Sequence, residues 1–140
     1  MKKLIKGSFI LLVLIFSYFT LMFCLSELGG EVVTLIKSEE DNSSKKIRIW
    51  IVDSKNVSWI EHGDKDAYWM KKIADNNKIY IIRDNEKKSY KATVDSESHE
   101  LYHKLRRTKY SWADRMLDIL AFGAISEDKC SGIPVRLELL

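Results

Sequence analysis

The stretch Lys46–His62, KIRIWIVDSKNVSWIEH, decides how the rest of the chain is read. Two runs of alternating apolar residues flank a polar stretch suited to a turn, the pattern of an antiparallel hairpin. With Asp53–Asn56 as the loop, Val52 faces Val57, Trp50 faces Trp59 and Arg48 faces Glu61, all on one side. Ile47, Ile49, Ile51 and Ile60 fall on the other side, an apolar face that belongs in a core. The tryptophan face has two readings. One is a cross-strand aromatic pair beside an ion pair, each contributing roughly 0.2–1 kcal/mol. The other is a pocket wall with a guanidinium at its mouth, suited to a flat ring bearing a phosphate or carboxylate.

Further strands surround this hairpin. Glu31–Ser38 reads as a strand before it, separated from it by the charged loop Glu39–Lys46. Asp66–Asn77 reads as a short helix, and Lys78–Asp84 and Lys87–Asp95 as a second hairpin. Helices are expected over 96–110 and 111–122, the second opened by Ser111 with Asp114 three residues on, and 132–140 is a closing strand. Trp112 is expected in the core, with Asp114 and Arg115 capping or pairing. The order predicts a mainly β fold with helices: a split, strongly curved barrel of about six antiparallel strands with three helices, at 28–140.

Residues 1–27 stand apart. Lys2, Lys3 and Lys6 precede a run with no charge from Gly7 to Ser26. As a helix rising about 1.5 Å per residue, that run matches the roughly 30 Å hydrocarbon core of a bilayer. It predicts a single-pass signal-anchor meeting lipid through residues 4–26. The lysines keep the N-terminus in the cytoplasm, and the remainder faces the periplasm or exterior of a bacterial inner membrane. A cleaved signal peptide is the rival reading, although its apolar region is usually shorter, about 7–15 residues.

The net charge of +3 belongs to the three anchor lysines; from Glu27 onward 20 basic residues meet 20 acidic ones. A balanced domain gives no case for nucleic-acid binding. Cys24 and Cys130 are too differently placed to bridge, leaving Cys130 a lone thiol able to pair between chains. HELYH, His99–His103, matches H-E-x-x-H and would put two imidazoles on one helical face. Its charged neighbours and lack of a well-spaced third ligand, with Asp118 and Glu127 only guesses, favour an ordinary amphipathic helix. No metal site is expected, and a zinc hydrolase using His99 and His103 is a remote alternative. No serine sits in a nucleophile elbow, and no glycine-rich phosphate loop is present.

EVVTLIKS, IRIWIVD, YWMKKIADNNKIYI, KYSWADRMLDIL and IPVRLEL, in that order, resemble the nitroreductase and quinone-reductase-like branch of the deazaflavin-dependent oxidoreductases. That family shares the flavin-binding split β-barrel of pyridoxamine-phosphate-oxidase-like proteins. The resemblance implies a membrane-anchored oxidoreductase acting on nitro or quinone compounds. It implies FMN or deazaflavin held in a groove of the barrel, often at a homodimer interface. The cofactor-binding positions it carries over are Lys45, Lys46, Arg48, Trp50, Trp69, Lys71 and Lys72. The chain departs from the family where SEEDNSSKK replaces a Gly, Arg and Ser-rich loop, so that Glu39, Glu40 and Asp41 would repel a phosphate while Ser43 and Ser44 remain able to contact one. Asn77 stands where the family has proline. A non-enzymatic anchored binding module with a degenerate cofactor site is therefore the alternative.

Overall fold

The computed structural model describes residues 2–38, 43–64 and 66–140, with side chains from Lys6 onward except that of Ser38. Glu39, Glu40 and Asp41 lie outside the described residues. Helix α1 (Lys2–Leu28) is followed by β1 (Val32–Ser38), β2 (Ser44–Trp50), β3 (Val52–Ser54), β4 (Val57–His62), α2 (Tyr68–Lys72), β5 (Lys78–Arg83) and β6 (Glu86–Val94). A 3-10 turn at Ser96–Ser98 leads into α3 (His99–Leu120), and β7 (Ile133–Leu139) ends the fold. The strands form one antiparallel sheet in the order β2-β1-β5-β6-β7-β4-β3.

That order, with one residue between β2 and β3, makes the sheet curl. The two strands lie at opposite edges, yet only Ile51 separates Trp50 from Val52. The edges must approach each other for the chain to cross, and the result is the curled split barrel expected from the sequence. Inward alternation fills it with Val33, Leu35, Ile60, Ile81, Val135 and Leu137, together with Ile51 itself. Trp69, Met70 and Ile73 of the α2 segment close one end. A smaller cluster of Val52, Trp59, Tyr102 and Tyr110 lies on the outer face under α3.

The opening stretch pairs differently from the expected hairpin. β2 pairs with β1, placing Trp50 opposite Val32 and Arg48 opposite Thr34. Only β3 pairs with β4, with Val52 opposite Trp59 and Ser54 opposite Val57. The loop is the two residues Lys55 and Asn56, with Lys55 left-handed at φ 56°. A shift of two positions leaves each side chain on its expected face, so the inner isoleucines are placed correctly while Trp50 and Trp59 are not cross-strand partners. The β5–β6 turn uses Asp84 and Asn85, both at positive φ, as the twist of a two-residue hairpin favours.

The helices expected over 96–110 and 111–122 are joined in α3, with a kink at Ser111 (φ 44°, ψ −105°). α2 is shorter than expected, five residues. α1 is long and apolar enough over Lys6–Leu28 to cross a membrane. Its C-terminal end docks on the barrel, where Trp50 Nε1 donates to the Ser26 carbonyl at 2.7 Å and Arg48 pairs with Glu27, and further back Tyr18 Oη donates to the Leu120 carbonyl at the end of α3 at 2.6 Å. Gly30 is required in this joint because a Cβ there would lie 2.7 Å from the Trp50 ring.

An ion network pins α3 to the β1–β3 seam. Arg83 grips both Asp53 oxygens at 2.9 Å and Glu31 at 2.5 Å, and Lys109 reaches Asp53 at 2.8 Å and Glu31 at 2.5 Å. Partial burial raises the Asp53 pKa, but hydrogen bonds from Arg83, Lys109 and Ser58 outweigh it and hold the carboxyl well below its ordinary value of 3.8. A depressed folded-state pKa stabilises the protein above the unfolded value and is lost as pH falls toward the folded one. Acid unfolding followed by circular dichroism is therefore expected to show stability falling below about pH 4, and Asp53→Asn to flatten that fall.

Candidate functional site

Two places concentrate chemistry, on different parts of the barrel. The first is a groove of about 490 Å³ where α2 meets the β1–β5 seam. Lys37 is the penultimate residue of β1 and Lys78 the first of β5, so the strand ends deliver lysines to its rim. α2 contributes Tyr68, Trp69 and Lys72, and β6 contributes Lys87. Tyr80 lies between two cations, with Lys87 Nζ 4.4 Å and Lys78 Nζ 5.5 Å from its ring centre. Lys72 stands 5.7 Å from the Tyr68 ring centre and 3.8 Å from Asp75. Trp69 forms part of the wall, and its Nε1–H is buried without an acceptor among the described residues. An aromatic wall and several ammonium groups suit a flat anionic molecule, and the volume falls within the roughly 300–1,000 Å³ of small-ligand sites.

The seven positions singled out from the sequence divide between places. Trp69 and Lys72 line the groove. Lys45 sits on the edge strand opposite Lys37, one of the groove residues. Lys71 is exposed and pairs with Asp66 at 3.6 Å, and Lys46 is exposed on β2. Arg48 and Trp50 line a separate hollow of about 320 Å³ beside the end of α1. There Trp50 also packs on Tyr110, ring centres 4.5 Å apart. Lys37, Lys78, Lys87 and Tyr80 were missed because each looked like an ordinary strand residue. For the lysines the only sequence signal was position near the ends of neighbouring strands, and Tyr80 carried none.

The second place lies under the first half of α3. On β4 the outward residues are Val57, Trp59 and Glu61, and α3 covers them with His99, Tyr102, His103, Arg106 and Tyr110 at helical spacing. Glu61 Oε1 is 3.1 Å from His103 Nε2 and 3.6 Å from His99 Nε2, and the two Nε2 atoms are 3.2 Å apart. The His103 contact is poorly aligned, and Oε1 is buried without a formed hydrogen bond among the described residues. Cys130, just before β7, brings Sγ within 3.5 Å of Glu61 Oε2. Arg106 binds Glu61 at 3.3 Å, Asp114 at 2.7 Å and the Ile125 carbonyl at 2.6 Å. Burial raises the Glu61 pKa, but His103 and Arg106 outweigh it and leave the carboxyl below its usual value. Burial pushes the Cys130 thiol up. Glu61 and Cys130 were not recognised as partners of the two histidines. Asp118 and Glu127, the guessed third ligands, are not members of this group.

No protein-family model and no curated protein sequence matches the chain. Solved structures match its fold. A candidate 5-nitroimidazole antibiotic resistance protein of Bacteroides thetaiotaomicron aligns with TM-score 0.55 and 7% identity, over 81% of this chain and 75% of that one. A candidate pyridoxamine 5′-phosphate oxidase of Listeria innocua aligns with TM-score 0.52 and 9% identity, over 84% and 89%. The haem storage protein HutZ of Vibrio cholerae aligns with TM-score 0.51 and 11% identity, over 83% and 85%. At these identities the shared property is the fold, the curled split β-barrel.

Proposed function

We propose that the chain is a membrane-anchored split-barrel protein, anchor at 1–27 and barrel at 28–140, that binds a flat anionic cofactor in the lysine-lined groove. The observation that carries this reading is the convergence of Trp69, Tyr68, Lys72, Lys78 and Lys87 on one cavity of about 490 Å³. FMN and deazaflavin suit that lining: the ammonium groups of Lys72, Lys78 and Lys87 oppose the phosphate, and Tyr68, Tyr80 and Trp69 supply an aromatic wall. The bound group would supply hydride chemistry toward nitro or quinone compounds, and the protein would position it. Proteins sharing the fold include a candidate nitroimidazole resistance protein and a candidate pyridoxamine-phosphate oxidase, in keeping with this class of reaction. Lys45 and Lys71 extend the positive rim, and a second copy completing the groove is part of the proposal.

The anchor reading places α1 in a bacterial inner membrane with the barrel on the periplasmic or outer side. It draws support from the C-terminal half of α3 and the turn after it, where Trp112, Met116, Ile119 and Phe122 are exposed and Leu120 accepts a hydrogen bond from Tyr18 of α1. Such an apolar stripe with a tryptophan suits the headgroup boundary of a bilayer. Trp112, expected in the core, is 64% exposed.

A second reading, a non-enzymatic binding module of the same fold, is favoured by one observation. Arg48 and Trp50 are engaged with Glu27 and Ser26 at the end of α1. Titration of the full chain in nanodiscs with FMN, deazaflavin and haem separates the readings. The oxidoreductase reading predicts saturable quenching by FMN or deazaflavin, weakened about 10-fold or more by Lys72→Glu or Lys78→Glu, followed by turnover of a quinone or nitroarene once the group is reduced. Binding of haem or of none of the three moves the protein to the second reading.

A further inference from the structure

We propose that Glu61, His99, His103 and Cys130 form a four-ligand zinc centre that clamps α3 to the barrel. A tetrahedral zinc ion about 2.0–2.2 Å from nitrogen or oxygen and about 2.3 Å from sulfur sets its ligand atoms about 3.3–3.6 Å apart. The three edges among Glu61 Oε1 and the two Nε2 atoms are 3.1, 3.2 and 3.6 Å; Cys130 Sγ lies 3.5 Å from the other carboxylate oxygen, Oε2, and the four ligand atoms all lie within 4.8 Å of one another.

A hydrogen-bonded cluster without an ion explains this geometry less well. Two Nε2 atoms face each other at 3.2 Å, and between neutral imidazoles only one of them can donate across that gap. A hydrogen used there is not available to Glu61 Oε1, which is left buried without a formed hydrogen bond. Burying such an acceptor costs about 1–3 kcal/mol. One cation at the centre of the group accepts a lone pair from each atom and removes the conflict.

The surroundings are shaped for these ligands. Gly132 is the residue that lets Glu61 and Cys130 meet, since a Cβ there would lie 2.6 Å from the Glu61 carboxyl carbon and 3.1 Å from Cys130 Sγ. The Gly132 N–H donates to that sulfur at 3.3 Å. Arg106 orients Glu61 from behind at 3.3 Å while its own charge is met by Asp114 at 2.7 Å, an outer-shell strut of the kind that fixes ligand orientation. A divalent ion is balanced by one carboxylate and one thiolate, leaving no excess charge. The donor set of two imidazoles, one thiolate and one carboxylate selects zinc over magnesium or calcium, which take oxygen ligands. Four protein ligands leave no coordination position for an activated water, so the centre is structural and the H-E-x-x-H spacing does not make a hydrolase here. It shares no residue with the lysine-lined groove and stands whether or not that groove takes a flavin.

The test uses the full chain in detergent, stripped with chelator and reloaded. Zinc is expected at one per chain after dialysis, and cobalt is expected to give a thiolate-to-metal charge-transfer band with tetrahedral d–d absorption. His103→Ala and Cys130→Ser should each weaken metal binding by more than the roughly 10–100-fold typical of outer-shell changes, and Gly132→Ala by an amount within that range. Cys130→Ser should also abolish the charge-transfer band, while Glu127→Gln leaves affinity and spectrum unchanged. The proposal is overturned if the folded wild-type chain, checked by circular dichroism, shows no charge-transfer band on cobalt titration. It is equally overturned if the variants retain as much zinc as wild type, because the metal is then adventitious.

Discussion

Asp114→Ala is expected to lower the unfolding free energy by about 3–5 kcal/mol, the cost of removing one partner from a buried ion pair. Asp114 is 1% exposed and Arg106 6%. Asp114 Oδ1 accepts from Arg106 Nε at 2.7 Å, and Oδ2 lies 2.8 Å from Arg107 Nε without a formed hydrogen bond among the described residues; its loss leaves the buried Arg106 short of a counter-charge, while the partly exposed Arg107 keeps Asp118 at 3.6 Å. Arg106 keeps Glu61 and the Ile125 carbonyl, but neither replaces a carboxylate beside Nε. Because α3 bends at Ser111, three residues before Asp114, the pair also ties the two halves of the helix together. Urea unfolding in detergent, read by near-ultraviolet circular dichroism, measures the effect. A loss below about 1 kcal/mol for Asp114→Ala would mean that water serves the pair as it serves a surface bridge.

Trp69→Ala is expected to cost about 3–5 kcal/mol, as truncation of a buried tryptophan does. The indole is 3% exposed, closes the end of the barrel with Met70 and Ile73, and meets the His62 ring edge-on at 5.1 Å. Trp69→Phe separates packing from recognition. It retains an aromatic ring while deleting the buried Nε1–H, whose lack of an acceptor costs about 1–3 kcal/mol. The Phe variant should therefore lose far less stability than the Ala variant yet bind FMN more weakly than wild type. Thermal unfolding and FMN titration of the same samples check both halves. Equal affinity in wild type and Trp69→Phe would remove the indole from the site.

The core was legible where alternation dictates it. Ile47, Ile49, Ile51 and Ile60 announce one inward face, and a register shift of two leaves that face intact. The pairing itself was not legible. Whether β2 joins β4 or β1 is settled by the curl of the whole sheet, and a single residue, Ile51, carries the chain between its edges. Trp112 was misplaced because apolar character was taken to mean burial in the barrel, whereas α3 turns that residue outward. Half of each candidate site was visible. The i,i+4 spacing showed His99 and His103, but Glu61 and Cys130 reach them through the β4–β7 pairing that sets Glu61 opposite Pro134. The α2 residues Trp69 and Lys72 were singled out, whereas Lys78, Tyr80 and Lys87 gain meaning only when β5 and β6 are placed beside them.

Hydrogen–deuterium exchange of the full chain in nanodiscs, with and without saturating FMN, tests the central claim most directly. The account predicts slower exchange on binding in Tyr68–Lys72 and across 75–80, the segments around the groove, with the Arg48–Trp50 end of β2 unchanged. Slowing confined to Arg48–Trp50 and the end of α1, or no slowing anywhere, would contradict it.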